Sequence, residues 1–77
     1  MADPRRYMQI RADLERRIAS GELAPGTPLN IGRLADEHDV GRDTVQQAIR
    51  LLADAGLVER WPGLGWFVAD PTSRAGA

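Results

Sequence analysis

Residues 29–56 restrict what this 77-residue chain can fold into more than any other stretch. At about 100° per residue, Val45, Ala48, Ile49 and Leu52 fall on one stripe, at i, i+3, i+4 and i+7. Arg42, Gln46 and Arg50 lie on the other side of the same helix, with Asp43 and Gln47 beside them. Upstream, Ile31, Leu34, Ala35 and His38 share the inner face of a shorter helix. Asn30 is suited to cap that helix, and Asp39 with Gly41 supplies turn chemistry between the two. Amphipathicity alone describes most surface helices. A short helix, a turn of about three residues and a longer helix that keeps a polar face is a more specific order, and it is how a helix-turn-helix is built.

The flanks complete the pattern. A first helix is expected over Pro4–Ser20, with the apolar stripe Tyr7, Ile10, Leu14 and Ile18 and a stop at Gly21. Pro25-Gly26 turns the chain, and residues 27–29 form a short extended piece. After Gly56, which ends the third helix, the apolar period changes from that of a helix to that of a strand. Leu57–Trp61 and Trp66–Ala69 read as strands around the loop Pro62-Gly63-Leu64-Gly65, a hairpin. A lone hairpin is marginal in water, so its apolar side, assigned to Val58 and Phe67 with Leu57, must pack on the helices. The expected fold is mainly α with a small β-hairpin: a winged helix-turn-helix, three helices plus wing. It covers residues 5–70, with the helix-turn-helix at 31–50 and the wing at 57–69, followed by a flexible tail at 71–77.

Composition narrows the function classes. The chain has room for one small core. It has no cysteine and one histidine, so no metal set is available, and His38 is expected to pack or to cap its helix. No nucleophile–base pairing or phosphate loop is present, which argues against an enzyme and against a cofactor. No apolar run approaches the ~18 residues of a membrane span, so a cytoplasmic protein is expected. The net charge of −1 is low for a nucleic-acid binder. Placement matters more than the sum: all ten basic residues are Arg, and Arg5, Arg6, Arg11, Arg16 and Arg17 crowd the first helix as a possible phosphate-binding surface.

Several segments, in order and at correct spacing, resemble the DNA-binding domain of the GntR family of bacterial transcriptional regulators. They are Tyr7-Met8-Gln9-Ile10, Ile18–Gly26, Leu34-Ala35, Val40–Val45, Ala48–Leu52, Gly56–Arg60 and Gly63–Val68. The resemblance implies a sequence-specific regulator, a repressor, acting on double-stranded DNA in the bacterial cytoplasm and nucleoid-associated when bound. Two copies would sit on a near-palindromic site, with the third helix in the major groove and the wing on the adjacent backbone or minor groove. Departures from the family pattern are Pro28-Leu29-Asn30 for Leu-Pro-Ser, Gly32 and Gln46 for arginines, Leu64 for a basic wing tip, and Trp66 for a small hydroxyl residue. The family's C-terminal effector-binding domain has no counterpart in these residues, so no small-molecule effector site is expected in them.

The resemblance and the helix-turn-helix geometry together nominate the contact residues. Arg42, at the start of the third helix, would meet a guanine or a phosphate. Gln46 and Gln47 would pair with adenine or accept varied bases. Thr44 either touches a phosphate or reinforces the helix start. Asp43 either favours the helix N-terminus or accepts from cytosine. Arg33 would stand in for the arginine missing at Gly32, and Arg50 either reaches backbone or stays solvated. Gly63 and Gly65 let the wing turn and approach a groove. Strand alternation sends at least one of Trp61 and Trp66 outward; Trp61 is the one expected to cap the core. An exposed tryptophan surface also admits an alternative, a winged helix used for protein binding with weak DNA affinity.

Overall fold

In the computed structural model, residues 4–69 are described; the expected tail at 71–77 lies outside them. The elements are α1 (Pro4–Ser20), β1 (Pro28–Leu29), α2 (Ile31–His38), α3 (Arg42–Asp54), β2 (Val58–Trp61) and β3 (Gly65–Val68). Local chemistry sets the helix-turn-helix. The Asn30 side chain accepts from the Arg33 amide at 2.9 Å and opens α2. Asp39 closes it in the left-handed region, at φ 54°, ψ 51°, one of the few non-glycine residue types that sit there readily. Its amide and that of Val40 then donate back to the carbonyls of Asp36 and Ala35, which satisfies the last turn. Gly41 starts α3 without a side-chain cap.

The stripes read from the sequence meet in one core. Ile10 and Leu14 from α1, Leu34 and Ala35 from α2, and Val45, Ala48, Ile49 and Leu52 from α3 are buried together with Leu29, Val58 and Val68. Each large apolar side chain removed from water there contributes about 1.5–3 kcal/mol. Tyr7, Ile18, Ile31 and Leu57 are half-buried against this cluster.

The sheet departs from a simple hairpin in two ways. The extended piece at Pro28–Leu29 pairs with β3, so the order is β1-β3-β2, all antiparallel. Pro28 is tolerated because β1 is an edge strand, where a missing N–H costs no ladder bond. The second difference is parity. β3 starts at Gly65, and the register sets Arg60 opposite Trp66 and Glu59 opposite Phe67. Val58, Arg60, Trp66 and Val68 therefore face the helices, while Glu59, Trp61 and Phe67 face away. This reverses two expectations. Val68, not Phe67, joins Val58 in the core. Trp61 is 52% exposed and packs edge-on against Phe67, with ring centroids 6.5 Å apart, while Trp66 packs against the core.

The arginines of α1 are also placed differently from expectation. Arg6 donates to the carbonyls of His38 and Asp39 at the end of α2, at 3.1 and 3.0 Å. Arg11 pairs with Glu15, and Arg16 with Asp13. Arg17 donates to Glu37 on α2 with both terminal guanidinium nitrogens, at 2.7 and 3.4 Å, and also meets Asp13 at 3.0 Å and Glu22 at 3.5 Å. His38 packs half-buried beside Asp13, with Nε2 3.4 Å from the carboxylate. Arg6 and Arg17 fasten α1 to α2, and Arg11 and Arg16 pair within α1; they are not a free phosphate-binding surface.

The Arg17 hydrogen bonds hold the Glu37 carboxyl below its ordinary value of 4.5. A carboxyl whose folded-state pKa is depressed adds stability above the unfolded value, and that share is lost as pH falls through the folded one. Arg17→Ala should lower stability at pH 7 by about 1–2 kcal/mol, since it removes a half-buried hub with several partners and not one exposed pair. Below pH 4.5 the difference between the two proteins should shrink, as Glu37 loses its charge in both. Urea denaturation at pH 7 and pH 3 checks this; a gap of constant size would remove Glu37 from the explanation.

Candidate nucleic-acid interface

The polar side of α3 stands clear of the core. Arg42, Asp43, Gln46, Gln47 and Arg50 are all exposed, while Val45, Ala48, Ile49 and Leu52 on the opposite side are fully buried. Asp43, Gln46, Gln47 and Arg50 line one shallow groove with Leu51. Gln46 and Arg50, one helical turn apart, also line a second cleft together with Arg60 and Trp66 of the wing. The outward surface of α3 thus runs continuously into the sheet.

Arg42 has a seat of its own. Gly32, in the first turn of α2, leaves room for its guanidinium. A Cβ built at Gly32 would stand 3.2 Å from Arg42 Nη2, 3.6 Å from Arg42 Cζ and 3.5 Å from Asn30 Oδ1. The space left by the small residue at 32 is therefore taken by Arg42, reaching back from α3. Arg33 does not fill it. The helix turns Arg33 to a different side, where it lines a cleft with Arg17, Asn30 and Glu37 next to β1. Thr44 is a second departure: only 6% of it is exposed, so it belongs with the inner wall of the helix start and not with the outward face.

At the wing tip, the Leu64 amide donates to the Trp61 carbonyl at 2.9 Å across Pro62-Gly63, and Gly63 has φ +80°. Pro at the second position and a positive φ at the third make a type II turn, which selects Gly63 on conformation alone. Gly65, at φ +106°, is selected in the same way. Nothing lies within 4 Å of a Cβ built at either. Leu64, 72% exposed, forms the tip itself.

The electrostatics follow from which arginines are left over. Arg42, Arg50 and Arg60 make no ion pair among the described residues, and all three belong to α3 or the wing. Arg33 makes no ion pair either, but it lies on α2 in the cleft with Arg17 and Glu37, so the outward surface of α3 and the wing holds three of the unpaired arginines among the described residues. Arg60 is the residue that sequence reading missed. Its signal was the alternation Val58-Glu59-Arg60, which puts Arg60 in phase with a buried valine and therefore toward α3.

Comparison with known proteins agrees with this architecture. Residues 6–68 match the family described as bacterial regulatory proteins, gntR family. The HTH-type transcriptional repressor NagR of Bacillus subtilis (strain 168) is 41% identical over 66 residues, which is 84% of this chain and 27% of that protein. The Exu regulon transcriptional regulator of Escherichia coli (strain K12) is 40% identical over 76 residues, 96% of this chain and 30% of that protein. The chain therefore spans less than a third of these relatives. Among solved structures, the AraR DNA-binding domain in complex with operator ORR3 superposes with a TM-score of 0.78 at 29% identity, covering 83% of this chain and 78% of that one. A transcriptional regulator GntR from Rhodococcus sp. RHA1 gives 0.84 at 30% identity, covering 90% of this chain and 33% of that one.

Proposed function

Because this chain belongs to the gntR family of bacterial regulatory proteins, we propose that it is the operator-binding part of a transcriptional repressor, working by binding and not by catalysis. The observation that carries the reading is the outward surface of α3, exposed from Arg42 to Arg50 and carrying unpaired cations. A helix of this width fits the major groove of B-DNA, about 12 Å across. In the pose that this surface supports, Arg42, Asp43, Gln46 and Gln47 meet base edges and phosphates near the start of the helix, Arg50 lies toward the backbone, and the turn at Gly63–Gly65 lies on the flanking backbone or minor groove. Two copies on a near-palindromic site follow from the usual geometry of such domains. The likeness to an AraR DNA-binding domain solved in complex with an operator supports duplex DNA as the ligand. The setting is the bacterial cytoplasm.

Salt titration of a gel shift tests the reading. Each phosphate neutralised contributes about −0.9 to the slope of log affinity against log salt. One phosphate reached near the start of α3 and one reached by Arg50 predict a slope of roughly −2 per bound domain, about double that for two copies on one site. A flat response, or no shift at micromolar protein, would instead point to the exposed Trp61–Phe67 side of the sheet and a protein-binding role.

A further inference from the structure

We propose that the cleft between α3 and the wing is a clamp for one backbone phosphate of DNA, closed by Arg50 from the helix and Arg60 from β2. The proposal rests on the DNA-binding reading above and deepens it: it gives Arg50 a specific backbone group and adds Arg60, which the major-groove pose leaves unused. The cleft is lined by Gln46, Arg50, Arg60 and Trp66. Two arginines thus line one open cleft, and neither has a carboxylate partner among the described residues. The nearby acids are oriented elsewhere. Glu59 is on the far face of the sheet beside Phe67, and Asp43 lines the adjacent groove, closer to the start of α3. Asp54, one turn beyond Arg50, makes no ion pair with it.

Both cations are held in place from behind. Arg50 follows the fully buried Ile49, so its backbone is fixed by the core. Arg60 stands opposite Trp66 in the antiparallel register, and Trp66 packs against the core, which anchors the strand pair at that rung. Like charges that share a cleft repel, and a tetrahedral anion relieves the repulsion by accepting from both forks at once. Gln46, one turn before Arg50, adds an amide donor on the same side. A phosphate on the duplex backbone has the right charge and the right number of acceptor oxygens. It also sits where a strand running from the major groove to the wing would pass.

The experiment combines Arg60→Ala with Arg60→Lys and Arg60→Gln in the whole chain. On duplex DNA, Arg60→Ala should weaken binding roughly 3–10-fold near physiological salt, to the same degree on every sequence, and reduce the log–log salt slope by up to about one. Arg60→Lys keeps the point charge and should keep most of the slope; Arg60→Gln keeps polarity without charge and should behave like Ala. Without DNA, inorganic phosphate should raise the melting temperature of the unsubstituted protein above that in sodium chloride of equal ionic strength, and this difference should vanish in Arg60→Ala. A slope that survives Arg60→Ala, or a loss confined to one base pair, overturns the clamp while leaving the major-groove reading in place. If the unsubstituted protein does not bind duplex DNA at all, both fall together. Should Arg60→Ala fail to fold, Arg60→Gln provides the same readouts.

Discussion

Ile49→Ala should lower the unfolding free energy by about 2–5 kcal/mol, the range for truncating a large aliphatic side chain in a closed core. Ile49 is fully buried and lies in the part of α3 that packs on α1. A domain of this size has only ~4–12 kcal/mol of stability in total, so the loss is a large fraction of it. The size of the effect also follows from topology. α3 touches α1, α2 and β2, so a cavity at Ile49 has rigid walls from several elements and little freedom to collapse. Ile49→Val removes one methylene and should cost about 0.5–1.5 kcal/mol. Urea denaturation measures both: the midpoint should fall in that order with m unchanged. A midpoint for Ile49→Ala equal to that of the parent would mean that α3 does not bury this face. The helix-turn-helix assignment would then have no support.

The same helix shows why much of the fold was legible in the sequence. Helical periodicity is a local property, and Val45, Ala48, Ile49 and Leu52 declare their common face without reference to anything distant. Asn30 and Asp39 are local in the same sense, because each bonds or bends within a few residues of itself. What stayed hidden depends on partners far along the chain. The pairing of Pro28–Leu29 with β3 links residues nearly forty apart, and neither residue carries a strand pattern of its own. The faces of Trp61, Trp66 and Phe67 hinge on whether β3 begins at residue 65 or 66; a shift of one residue exchanges every side chain between faces. Composition listed the α1 arginines as available charge. Only the packing of α1 against α2 shows that Arg17 and Arg6 are already engaged. The outward polar surface was legible as far as α3 extends, and illegible where Arg60 and Trp66 join it from the wing.

Arg42→Ala should cost about 1–3 kcal/mol at the preferred base, roughly 5–150-fold in affinity, if the guanidinium reads a guanine edge. Arg42→Lys should not rescue it, since a lysine offers a point charge where a planar fork is needed. Equal loss on every sequence would reduce Arg42 to a phosphate contact. Gly32→Ala separates position from presence. A Cβ at residue 32 meets the end of the Arg42 side chain at 3.2 Å, tighter than ordinary contact, so the guanidinium must shift away from α2. The backbone of α2 gains from the same change, because alanine is favoured over glycine inside a helix by up to about 1 kcal/mol. Stability and recognition should therefore move in opposite directions: a higher melting temperature, and weaker discrimination between a selected site and its single-base variants. In an Arg42→Ala background, Gly32→Ala should keep its stabilising effect and lose its effect on discrimination, because the side chain it displaces is gone. That non-additivity is the coupling to measure. If discrimination were unchanged by Gly32→Ala, the space beside α2 would have no role in aiming Arg42, and the glycine would stand there only as a weak helix former.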